Sequence, residues 1–364
     1  MALISRNFSD IITFTRASSG TFVGANGLLQ TAGNNVPRFE YDPITLAARG
    51  LLVEESRTNL LTYSEQFDNA AWTKQANCSV TGVNAGIAPD GTLTADEVTF
   101  TATTNDGIFQ GVSVAASTTY TASFWVKGTG SQVVQIGCQP PAGAVFTQVT
   151  LNGSWQRVSA TATTTVAGTL NVSVDLVSGT TPAVVHVCGA QLEAGAFATS
   201  YIPTVASAVT RAADTASVNT LSPWFNATEG TIFLDVGAAQ GTFPQAFEFR
   251  RDGNNYLKLG KEFNTSAPST NYQLTNLFAG PNNVELGSQQ ASGRFAFGYQ
   301  TNNSALSANG GAVLTDASCQ FAAWTSMHLG WSLANGGRQA NTHIRRLSYY
   351  PRRLSNAELQ ALTA

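Results

Sequence analysis

Charged side chains make up only 11% of this 364-residue chain, less than half of the roughly 25% usual in soluble domains. There is no run of lysine or arginine, and the formal net charge is −3. The basic field that a phosphate backbone requires is therefore missing, so nucleic acid is not expected as a ligand. No apolar stretch is long enough to span a bilayer, which argues against membrane insertion. The first twenty residues are interrupted by Arg6, Asp10 and Arg16 and lack the apolar centre of a signal peptide, so folding in a cytoplasm is expected. Cysteine is also scarce. Cys78, Cys138, Cys188 and Cys319 have neither CxxC nor other metal-type spacing and are expected to be reduced, buried thiols. No G-x-S-x-G elbow, Walker loop or H-E-x-x-H helix occurs.

Threonine, serine, asparagine, glutamine and glycine replace the missing charge. Thr suits a pleated surface, and Gly and Asn suit tight turns, so the composition points to an all-β protein. Its length calls for more than one core. Residues 1–58 read as a small N-terminal β segment for attachment or oligomerisation. A tight hairpin is expected at Asn26-Gly27, between Thr21-Phe22-Val23 and Leu28-Leu29-Gln30. Residues 59–205 show longer alternation. Tyr120, Ala122, Phe124 and Val126 share one strand face, as do Leu170, Val172, Val174 and Leu176, and also Val134, Ile136 and Cys138. That pattern predicts a jelly-roll type antiparallel sandwich. Residues 206–364 predict a second antiparallel sandwich, beginning at Thr231 and closed by a short C-terminal helix. Ser355 and Glu358 form the S-x-x-E capping box of that helix.

Three passages resemble a family of phage and gene-transfer-agent virion spike or tail fibre proteins. The first runs from Ile12-Thr13-Phe14-Thr15-Arg16 through Val36-Pro37-Arg38-Phe39 to Gly50-Leu51-Leu52-Val53-Glu54-Glu55-Ser56-Arg57-Thr58-Asn59. The second combines Ser123-Phe124-Trp125-Val126-Lys127, Trp155-Gln156-Arg157-Val158 and Gly189-Ala190-Gln191-Leu192-Glu193, and is similar to carbohydrate-binding-module jelly rolls. The third pairs Gly230-Thr231-Ile232-Phe233 with Ile344 to Ser355 and resembles laminin-G or concanavalin-like sandwiches. The resemblance implies a head spike or tail fibre subunit on the virion surface, made in the bacterial cytoplasm. It implies host adsorption through capsular or other surface polysaccharide, contact with other virion proteins, and a homo-oligomer, a trimer by preference. A structural adaptor without glycan binding is the alternative, and a capsule depolymerase the third reading. The resemblance carries over no catalytic residue.

Sugar recognition needs an aromatic face against C–H groups, flanked by groups that bond hydroxyls. Trp125 projects to the polar face of its strand and is the expected platform. Lys127, Gln135, Asn171 and Asp175 would flank it if their strands lie in the same sheet. No cofactor is expected beyond a structural Ca²⁺, for which Asp90, Asp96, Glu97 and Glu193 are the candidate oxygen ligands. Glu54/Glu55 and Asp96/Glu97 are adjacent in sequence, so on a strand each pair splits between opposite faces. Such pairs are unsuited to glycoside hydrolysis, and the expectation is a binding protein rather than an enzyme.

Overall fold

The computed structural model describes residues 7–103, 106–241, 244–260, 263–264, 267–268, 273–278, 282–287, 291–333 and 338–364. The described residues form an all-β structure, with antiparallel sheets and, among those residues, two short helices, Phe8–Ile11 and Asn356–Thr363. The chain divides into two compact units whose segments alternate along the sequence.

One unit comprises Ser19–Thr31 and Ser56–Arg211 and is a jelly-roll sandwich of two five-stranded sheets. The first sheet has the order Val145–Thr150, Val133–Gln139, Gly168–Ser178, Gly107–Val114, Thr73–Lys74. The second has the order Gln156–Thr163, Thr119–Gly128, Ala183–Ala194, Leu93–Phe100, Cys78–Ile87. The period-two rows read from the sequence meet between these sheets. Val134, Ile136 and Cys138 lie there with Leu170, Val172, Val174 and Leu176 and with Ala122, Phe124 and Val126, all without solvent exposure. Burial of each large apolar side chain contributes about 1.5–3 kcal/mol. Trp72 packs into this core against Phe67 and Phe124 and donates from Nε1 to the Tyr63 carbonyl at 2.9 Å.

Asn59 is fully buried, yet all its polar capacity is used. Its Nδ2 donates to the carbonyls of Ala190 and Ile202, and its Oδ1 accepts from the amides of Leu61 and Leu192. The Asn26-Gly27 hairpin forms as expected, joining Gly20–Val23 to Leu29–Ala32, with Gly27 at φ 76°.

The other unit comprises Met1–Ser18, Ala32–Glu55 and Ala212–Ala364 and has two seven-stranded sheets. Thr13–Thr15 forms the edge of one, beside Thr215–Val218. Phe39–Tyr41 and Ala48–Val53 complete the other, beside Thr342–Tyr350. Residues 1–58, expected as a separate segment, are thus shared between the units: short strands cannot bury a core alone and are paired onto existing sheets.

Three residues of the first resembling passage meet in this unit. Arg16 pairs with Asp214 at 3.1 Å, Arg38 pairs with Glu54 at 2.9 Å and with Asp214, and the Glu54 amide donates to Asp214 at 2.9 Å. Both guanidinium groups and the Asp214 carboxylate are wholly buried. These three residues therefore tie separated segments of the unit to Asp214.

All four cysteines are free and buried. Burial pushes the thiols of Cys78 and Cys138 up to about 12 and about 11, so they remain protonated and unreactive.

Candidate functional site

The outer face of the first jelly-roll sheet carries a cleft of about 180 Å³, lined by Gln75, Phe109, Gln135, Gln139, Phe146, Asn171, Ser173 and Asp175. Strand register explains how it arises. In the central cross-strand row Phe146 faces Gly137, Gly137 faces Ser173, and Ser173 faces Phe109. Two aromatic side chains therefore stand either side of two of the smallest residues. On one side, the next row places Gln135 opposite Asp175 and Asp175 opposite Gly107. On the other, Gln139 faces Asn171 and Asn171 faces Gly111. The glycines keep the floor low. A Cβ at Gly137 would run into the Ser173 hydroxyl and lie 3.0 Å from Cε1 of Phe146, and one at Gly111 would lie 2.9 Å from Oδ1 of Asn171.

The floor is a continuous polar chain. Gln139 Nε2 donates to Ser173 Oγ at 2.8 Å, Ser173 Oγ donates to Asp175 Oδ2 at 2.9 Å, and Gln135 Nε2 reaches the same oxygen at 3.3 Å. Burial raises the Asp175 carboxyl to about 6; the hydrogen bonds from Ser173 and Gln135 oppose that rise, and nearby Asp106 adds to it. A perturbed acid in a cleft lined by aromatic and amide groups is a functional-site signature.

Residues 59–183 match a family described as "Carbohydrate binding domain". The cleft lies wholly within those residues. The tandem CBM22-1–CBM22-2 domain of Xyn10C from Paenibacillus barcinonensis is also similar, at 9% identity over 83% of this chain and 97% of that one. Its TM-score of 0.30 is too low to bear on function or fold. No curated protein matches the chain.

The structure brings together Gln135, Asn171 and Asp175 of the expected sugar contacts, and separates them from Trp125 and Lys127. Those two lie on Thr119–Gly128, in the other sheet of the sandwich. Alternation reveals which face of a strand is polar, but not which sheet the strand joins. Trp125 is half-buried against Ala88, Ala95 and Cys188, with the Arg157 guanidinium 6.0 Å from its ring centre. A register shift between Ser123 and Trp125 brings Gly189, at φ 61°, against the ring, where a Cβ would lie 2.8 Å from Cδ1. Lys127 Nζ sits 6.0 Å from the centre of the Trp155 ring.

Sequence reasoning missed Phe109, Phe146, Gln139 and Ser173. The signal was present in Gly107-x-Phe109-x-Gly111 and Gln135-x-Gly137-x-Gln139, outward rows in which glycines clear space around an aromatic or between amides.

The four carboxylates considered for Ca²⁺ do not converge. Asp90 accepts from the amide and hydroxyl of Thr92, and Asp96 accepts from the amides of Phe67 and Asn84. Glu97 pairs with His186 at 3.4 Å, and Glu193 accepts from the Thr199 amide and hydroxyl and from Gln191. Among the described residues no group of three or more His, Cys, Asp or Glu is placed to hold a metal ion.

Proposed function

We propose that this chain is a non-catalytic glycan-binding subunit of a virion surface, and that the Phe109/Phe146 cleft engages uncharged polysaccharide on the host cell. The observation that carries the reading is one cross-strand row with aromatic walls, flanked by amides and a carboxylate, within residues that match a carbohydrate binding domain. Phenyl walls accept the C–H faces of a sugar, and Gln135, Gln139, Asn171 and Asp175 supply donors and acceptors for its hydroxyls. The eight lining residues include a carboxylate and no cation, which disfavours anionic sugars. The virion role is supported by the resemblance of the first passage to spike and fibre proteins, and weak individual sites gain strength when many copies are displayed on one particle.

The test is adsorption of fluorescently labelled protein to a panel of bacterial strains, each paired with its capsule-deficient derivative, alongside Phe109→Ala and Phe146→Ala. The expected result is binding that disappears with the capsule and falls at least tenfold in both variants. Absence of binding by the intact wild-type protein to every strain would overturn the adsorption role and favour a structural adaptor.

A further inference from the structure

The cleft has one aromatic row and no more. In the row of Gln135 and Asp175, the position on Gly107–Val114 is Gly107 and the position on Val145–Thr150 is Gln148. In the row of Gln139 and Asn171, the inner position is Gly111, and Val145–Thr150 ends before reaching that row, its last pair being Val145 with Cys138. Neighbouring rows therefore offer amides and open space, but no second ring for stacking.

The strands carrying Phe146 and Phe109 are three inter-strand steps apart, about 14 Å at the usual sheet spacing. The cleft volume of about 180 Å³ is of the order of one hexose unit and lies below the roughly 300–1,000 Å³ of sites that take larger ligands. The hydrogen bonds of Asp175 within the protein go to Oδ2, which leaves Oδ1 as its acceptor for one sugar's hydroxyl.

On the reading of the cleft as a glycan site, we propose that it is a single-residue site: it holds one neutral pyranose, a chain end or a pendant branch, between Phe109 and Phe146, and not a run of polysaccharide backbone. Recognition then resides in one sugar unit, and additional units along the same chain project past the cleft with little contact.

The test uses the full chain and four neutral homo-oligosaccharide series, of glucose, xylose, mannose and galactose, each from one to five residues. Dissociation constants are read by saturation-transfer NMR titration. For the series that binds, affinity is expected to stay within about twofold from monosaccharide to pentasaccharide, because each linear chain presents one terminal unit to the site. Transfer is expected to concentrate on the protons of one unit, and Phe146→Ala should abolish it, while Gln148→Ala leaves it within twofold of wild type. A steeper rise with chain length, or transfer spread evenly over several units, would overturn the single-residue site while leaving the glycan reading intact. If no series binds and the wild-type protein also fails to adsorb to cells, the glycan reading falls and this inference falls with it.

Discussion

Asp175 shows how one buried group ties stability to function. Its carboxyl is raised from 3.8 to about 6, chiefly by burial. Below pH 3.8 it is neutral in both folded and unfolded chains and has no effect on stability. Between pH 3.8 and about 6 the unfolded chain ionises this carboxyl while the folded chain still holds its proton, so stability falls progressively across that window, by on the order of 3 kcal/mol in all, and is level above it. Asp175→Asn should remove that loss. Urea unfolding at pH 4 and pH 7.5 is expected to show the variant gaining on wild type at the higher pH, and an equal difference at both would contradict the assignment. Asp214 bears on stability through its ion pairs. It lies between Arg16 and Arg38 with no exposure, so Asp214→Asn strips compensation from two buried cations. A loss of about 3–5 kcal/mol is expected in denaturant unfolding. The sequence displayed Arg16, Arg38 and Glu54 as one resembling passage, but their convergence on Asp214, some 160 to 200 positions away, is a fact of tertiary pairing that local pattern does not contain.

Individual elements were legible where local physics decides them. Ser355 and Glu358 announce the C-terminal helix, and the capping box forms, with the Ser355 amide donating to Glu358 at 2.7 Å and the Glu358 amide donating to Ser355 Oγ at 3.3 Å. Ser355→Ala is expected to lower stability by about 1 kcal/mol, seen as a shift in the denaturant midpoint with an unchanged slope. The inward rows of the jelly roll were equally legible, because Leu170 to Leu176 alternate without interruption. The cleft was only half legible, for a physical reason. Parity of a strand is local, whereas the neighbour of a strand is set by long-range pairing, so the outward direction of Gln135 and Asp175 was readable, while the condition that Trp125 share their sheet was not met. Gly137 tests the geometry directly. The atoms nearest an added Cβ there are side-chain ends of Ser173, Gln139 and Phe146 and not backbone, so Gly137→Val should retain the fold and its circular dichroism while sugar binding falls more than tenfold. Retained binding would mean that the central row is not where the ligand sits.

Across the whole molecule, the two sandwiches were expected from length and strand pattern, and the structure is all-β as read. The N-terminal residues were harder to place. Phe39–Tyr41 and Ala48–Val53 look like a free segment because each is too short to bury a core, yet pairing makes them strands of a seven-stranded sheet. Low charge is consistent with the proposed role at this scale, since a surface rich in Thr, Ser, Asn and Gln offers hydroxyl and amide groups to a neutral polymer without an electrostatic field to repel or trap ions. The most direct test of the proposal is affinity electrophoresis through gels containing neutral polysaccharides, comparing wild type with Phe146→Ala and Trp125→Phe, the second a change that keeps an aromatic ring on the opposite sheet. The expected result is retardation of wild type and Trp125→Phe by at least one polysaccharide and free migration of Phe146→Ala; retardation lost in Trp125→Phe and kept in Phe146→Ala would contradict the cleft as the binding site.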